Sequence, residues 1–112
     1  MRDKLAAVRG AFLRRVGRDA DILFECWAAK EPKSLAVLAR IRDISHGLAG
    51  AAGIFGYPHL GNAAASVEEA VVRLNGAAGP LREVERSLER LLTDIEISRT
   101  ERVAHARRRA DA

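Results

Sequence analysis

Apolar residues recur at three- and four-residue steps in successive stretches of the chain, the spacing of helices that each bury one face. In the first stretch, from about Asp3 to Ala29, the stripe is Leu5, Val8, Phe12, Val16, Ala20, Leu23 and Trp27. Gly10 and Gly17 interrupt it. The spacing predicts a short first helix running into a longer one, with a break near Gly17-Arg18-Asp19 and Asp19 capping the second segment. Trp27 continues the stripe and reads as core, and Cys26 beside it as a small buried or half-buried residue.

Lys30-Glu31-Pro32-Lys33 reads as a turn, because Pro32 disfavours helix at the residue before it, and Ser34 is a suitable cap for a helix beginning at Leu35. This second helix runs from about Leu35 to Ile54, with Val37, Ile41, Ile44, Leu48 and Phe55 on its apolar seam. Gly56 is placed to end it in a left-handed conformation, and Pro58 to open the next helix at its first position. So short a link predicts an antiparallel hairpin. The third helix carries Leu60, Ala64, Val67, Val71 and Leu74, with Glu68, Glu69 and Arg73 outside the seam. Ala63, Ala64 and Ala65 thin it, so that it can lie close against the second.

Asn75-Gly76-Ala77-Ala78-Gly79-Pro80 is a loop of small residues and breakers, and Pro80 is placed to open the last helix. That helix has Leu81, Val84, Leu88, Leu91, Leu92 and Ile95 as its stripe. Glu83, Arg86, Glu89 and Arg90 form a mixed-charge outer face that reads as solvated. Beyond Ile97 the seam fades, and nowhere do β-branched residues alternate with polar ones as in a strand. The expected fold is all-α: an up-and-down antiparallel four-helix bundle with a short extra N-terminal helix. Residues 1–98 are expected to form the bundle domain and residues 99–112 a basic C-terminal helix end or tail.

The chain has 112 residues, enough for one domain with its own core. Its single cysteine cannot form an internal bridge, which points to a reducing compartment. The stretches lack a long uncharged apolar run, and Met1-Arg2-Asp3-Lys4 opens with charges, so neither a membrane span nor a signal peptide is expected. The expected location is the cytoplasm. The net charge of +4 suggests nucleic acid at first, but its distribution argues otherwise. From Arg99 onward Arg99, Arg102, Arg107, Arg108 and Arg109 face only Glu101 and Asp111, so most of the excess sits in a terminal segment with no aromatic residue to stack on bases.

The chemistry centres on the second helix. At about 100° per residue, His46 falls opposite the seam, and its neighbours on that outer face are Arg42, Asp43, Ala49, Gly50 and Gly53. Gly47, Gly50 and Gly53 lie within two turns, each at a cost of roughly 1 kcal/mol relative to alanine. Gly50 and Gly53 share the face of His46, where a missing side chain leaves the ring open to an approaching molecule. Close helix packing suits Gly47, which is rotated away from the histidine. The other two histidines have no such clearing: His59 reads as an exposed turn residue and His105 as part of the terminal segment.

The run His46, Leu48, Gly50, Ala52, Gly56 and Leu60, followed by Val67-Glu68, resembles the signature of the histidine-containing phosphotransfer (HPt) domain of two-component phosphorelays. Helix count, order and lengths suit that family's four-helix bundle. The resemblance implies that His46 accepts a phosphoryl group from a receiver-domain aspartate or a partner kinase and passes it to another receiver. It implies a response-regulator receiver domain or a hybrid sensor histidine kinase, or both, as partners. Mg²⁺ is then expected on the partner receiver and no cofactor in this chain. Family members commonly carry a lysine three residues after the histidine, where this sequence has Ala49.

An imidazole suits this task, since its neutral ring nitrogen is nucleophilic near pH 7. Phosphoryl transfer also needs the equatorial oxygens neutralised, and the sequence has neither a phosphate-binding glycine loop nor an acidic pair for Mg²⁺. By itself the chain is expected neither to bind ATP nor to phosphorylate itself. Arg42, one turn before His46, is the candidate for offsetting the phosphoryl charge. Ala49, Gly50 and Gly53 are candidates for the docking surface. Metal binding through Asp43 and His46 lacks a second pair of ligands, and a hydrolase lacks a nucleophile with a base at matched spacing. An HPt-like bundle that docks on a kinase or receiver without transferring a phosphoryl group remains as an alternative, as does self-association.

Overall fold

A computed structural model describes residues 2–28, 34–74 and 81–111. It contains four helices, α1 (Arg2–Ala28), α2 (Leu35–Ile54), α3 (Pro58–Leu74) and α4 (Arg82–Asp111), and no strand among the described residues. The expected turn at 30–33 and loop at 75–80 lie outside the described residues, as do the side chains of Leu5, Arg102, His105, Arg107, Arg108 and Arg109.

Each helix packs on the next, and α1 also packs on α4, so the four close a ring around one core. The packing is most extensive between α2 and α3. Phe12, Leu13, Val16 and Leu23 enter that core from α1, Ile41, Leu48 and Ala52 from α2, Leu60, Ala64, Val67 and Val71 from α3, and Val84, Leu88, Leu91 and Ile95 from α4. Trp27, Val37, Ile44, Phe55 and Cys26 are half-buried against it. Most of the expected seam is therefore inside, while Val8 is exposed.

The helix boundaries around α2 come from capping chemistry. Val37 N–H donates to the Ser34 hydroxyl oxygen over 3.1 Å, which satisfies one of the free donors of the first turn. At the other end Gly56 has φ +87°, Gly56 N–H donates to Gly53 O and Tyr57 N–H to Ala52 O. This is the Schellman pattern, which needs a left-handed residue and so favours glycine. Gly61 N–H then donates to Tyr57 O, starting α3 with Pro58 as its first residue. Phe12 of α1 covers this corner, stacking on Phe55 and Tyr57 with ring centroids 4.7 and 5.9 Å away.

The expected break in α1 is not there: among the described residues a single helix, Arg2–Ala28, runs through Gly17 and Asp19 in place of the expected short and long pair. Glycine costs a helix roughly 1 kcal/mol, whereas burying each large apolar side chain stabilises by about 1.5–3 kcal/mol. Phe12, Leu13 and Val16 before the expected break and Leu23 after it are all buried, and continuity keeps both groups on one seam. Gly17 itself is buried, and the Arg99 guanidinium lies 3.1 Å from where its Cβ would sit. Asp19 caps nothing; its carboxylate lies 3.8 Å from Arg15, one turn earlier. Burial pushes the Asp19 carboxyl above its ordinary value, against the lowering pull of Arg15 and Arg18. Helix α4 continues through residue 98 without a break, and Arg99 packs on α1.

Candidate phosphoryl-acceptor site

Helices α2 and α3 set the site between them. Gly61 of α3 lies against α2 so closely that a Cβ there would sit 3.4 Å from the Ala49 carbonyl oxygen and 3.4 Å from the Ala52 Cβ. Farther along α3, Val67 is buried in the core and the next residue, Glu68, reaches α2. Farther still, Val71 and Leu74 lie beside Leu35 and Leu38. As α3 advances, its partners on α2 recede toward the start of that helix.

This register brings together two side chains that are 22 residues apart: His46 Nδ1 and Glu68 Oε2 lie 2.8 Å from each other. A carboxylate can only accept, so the proton of this hydrogen bond belongs to Nδ1. In the neutral ring the other nitrogen, Nε2, then keeps its lone pair. The His46 side chain is 77% exposed and that of Glu68 29% exposed, so the carboxylate holds one edge of the ring and solvent meets the other.

The surroundings are open. A Cβ added at Gly50 or at Gly53 would meet nothing within 4 Å, so neither glycine serves helix packing, and both clear the face that His46 occupies. Gly47 is different, facing the Arg15 guanidinium of α1 at 3.5 Å. Ala49 is half-buried at the α2–α3 contact. Arg42 is one turn before His46 but its guanidinium is engaged by Asp43, at 3.2 Å through Nη2 and 3.4 Å through Nε. Two glycines thus frame the histidine, while the expected cation is turned to a neighbouring carboxylate.

Glu68 is the residue that sequence reasoning placed outside the apolar seam without giving it a role. Its signal was present in the Val67-Glu68 pair, but nothing along the chain ties that pair to His46. His59 is exposed at the start of α3, and among the described residues no three His, Cys, Asp or Glu side chains gather to hold a metal ion. No helix is long and apolar enough to cross a membrane, among the described residues.

A family model of the Hpt domain matches residues 1–102. The chain belongs to this family. Hpt domains serve histidine phosphotransfer in phosphorelays, working with the receiver domains and kinases of two-component systems. No curated protein and no solved structure gives a match. In this Hpt domain the match extends past residue 98 and ends within α4, whose helix continues to Asp111.

Proposed function

We propose that this Hpt domain is a phosphoryl carrier in which Nε2 of His46 is the acceptor atom. The observation that carries this is the 2.8 Å hydrogen bond from His46 Nδ1 to Glu68 on an otherwise bare helix face. It leaves a fixed ring with a single available lone pair at the surface. In the forward step that lone pair attacks the phosphorus of a receiver's aspartyl phosphate or of a kinase donor. The P–N bond forms as the P–O bond breaks, and the departing oxygen keeps its electron pair.

The partner supplies Mg²⁺ and positive charge; this chain supplies the nucleophile and the surface. Gly50 and Gly53 let a receiver's active site come down on the ring, and Ala49, in place of the family's lysine, adds no charge. Arg42 serves the phosphoryl group only on leaving Asp43. Partner register along α2 and α3 supports an antiparallel, up-and-down bundle, and the reading carries a cytoplasmic setting with it. Residues 1–98 act as the bundle and the segment from 99 as its basic helical end.

A docking bundle without transfer is the second reading. It is favoured by one observation, that the Arg42 guanidinium is already paired. The test is the intact mass after incubation with phosphoramidate, alongside His46→Gln and an acid-treatment step. A single phosphoryl adduct, lost in acid and absent from the variant, is the expected result. Folded protein without an adduct overturns the carrier reading in favour of docking.

A further inference from the structure

The two flanks of His46 carry opposite charge. Ala49, about 60° to one side of the histidine around α2, lies at the contact with α3, and on that flank the Glu68 carboxylate is 2.8 Å from the ring. Gly47, about 100° to the other side, faces α1, where a Cβ would sit 3.5 Å from Arg15 Nη2. Arg9 continues this basic side toward the end of α2, its guanidinium 3.3 Å from where a Cβ on Gly56 would be. The histidine stands between an acidic helix and a basic one.

Arg15 is the cation on the basic flank with freedom to act. Its side chain is 53% exposed, and its one ion pair among the described residues is with Asp19, at 3.8 Å through Nε. Its two Nη groups, the outer prongs of the fork, make no hydrogen bond among the described residues. Asp19 sits deeper, at 20% exposure, so rotation about the outer bonds of Arg15 carries the guanidinium away from it. The ground between Arg15 and the histidine is clear: Gly47 has no side chain to stand in the way, and a Cβ at Gly50 would meet nothing within 4 Å. Arg42, by contrast, is hydrogen-bonded to Asp43.

We propose that Arg15 of α1 is this chain's own counter-charge for the phosphoryl group on His46, supplied from the neighbouring helix where Ala49 supplies none. A phosphoryl group brings roughly two negative charges, and a guanidinium meets two of its oxygens with parallel N–H donors. Coming from the side of α1, Arg15 touches the oxygens arranged around the P–N axis and leaves the outward end of that axis, over Gly50 and Gly53, to the incoming partner. Glu68 holds the opposite edge of the ring, so the imidazole keeps carboxylate and guanidinium apart. Arg15 neither gives nor takes a proton: the P–N bond forms and breaks as in the carrier step, with one charge-assisted contact added. This rests on the carrier reading and names a residue for part of the positive charge that reading leaves to the partner.

The test compares the wild type with Arg15→Gln, Arg15→Lys and Arg86→Gln. The last removes the same charge from an exposed position on α4, a helix that does not pack on α2. Each protein is loaded with phosphoramidate and freed of donor, and the ³¹P signal of the adduct is followed from about pH 5 to 9, across the range in which a phosphoryl group takes on its last charge. A cation in contact favours the doubly charged form, so the midpoint is expected to rise by about half a unit or more in Arg15→Gln, to stay near the wild-type value in Arg15→Lys, and not to move in Arg86→Gln. A midpoint shared by wild type and Arg15→Gln, or moved as far by Arg86→Gln, overturns the assignment and leaves the carrier reading in place. A wild type that takes no adduct overturns both.

Discussion

Gly61 and Ala49 set the spacing of α2 and α3: a Cβ on Gly61 would lie 3.4 Å from the Ala49 carbonyl oxygen, and a backbone carbonyl cannot swing aside. Gly61→Val, with two further methyl groups, pushes the helices apart. The expected cost is about 1–3 kcal/mol, as for other overpacked cores. It is read from the urea midpoint at constant slope. The same displacement lengthens the His46–Glu68 hydrogen bond. An unchanged midpoint would show that the contact does not hold the register.

Gly50 and Gly53 have the opposite expectation. Both are in the helix and an added methyl group meets nothing at either. Each change to alanine is expected to stabilise by up to roughly 1 kcal/mol, seen as a higher denaturation midpoint. Their cost falls on transfer: in a chase of phosphoryl groups into receiver domains, the double variant passes the group on more slowly, because two methyl groups now stand on the docking face.

Gly56 differs from those two although it follows Gly53 by only three positions. Its φ of +87° is one that an L residue adopts with strain, so Gly56→Ala is expected to destabilise by about 1–2 kcal/mol. Thermal melting of the three single variants side by side checks the change of sign.

These signs explain what could be read along the chain and what could not. Ser34, Gly56 and Pro58 were legible as boundaries because caps and left-handed turns depend on residues within one turn of each other. The outward position of His46 and its glycine clearing came from helical period alone. Continuity of α1 did not, since the local penalty at Gly17 is outweighed by core burial on both sides and by the cover Arg99 provides, an α4 contact 82 positions away. Glu68 was missed as the partner of His46 for the same reason: its approach depends on the α2–α3 register, which Gly61 sets and no local pattern reveals.

Arg42 and Asp43 give a prediction about charge. Their side chains are 48% and 71% exposed, so the pair adds about 0–1 kcal/mol to stability. Asp43→Asn is expected to leave folding nearly unchanged and to free Arg42 for the phosphoryl group. The adduct yield at a fixed phosphoramidate concentration then rises, and Arg42→Ala in the same background returns it to the starting level. No rise would remove Arg42 from the site.

Asp19 makes stability depend on pH in a definite direction. Burial raises its native carboxyl above the ordinary 3.8, so the native state holds this proton more tightly than the unfolded chain does. Its contribution is therefore lost as pH rises from that ordinary value through the raised one. Asp19→Asn has no such loss. Denaturation midpoints should favour the variant more at pH 7 than at pH 3, where the wild-type carboxyl is protonated in both states. A difference that stays constant or narrows would count against the burial of this group.

The open ground at Gly50 and Gly53 bears on how a partner tells one state of the carrier from the other. No side chain has to move there to admit a phosphoryl group, so the protein surface around the ring is expected to be the same in the loaded and empty forms. What changes is the field, since the group brings roughly two negative charges to a face where Glu68 is already negative and Arg42 is offset by Asp43. Discrimination between the forms is thus a matter of electrostatics over a short range, about 10 Å at 0.1 M salt, and ionic strength is the variable that tunes it.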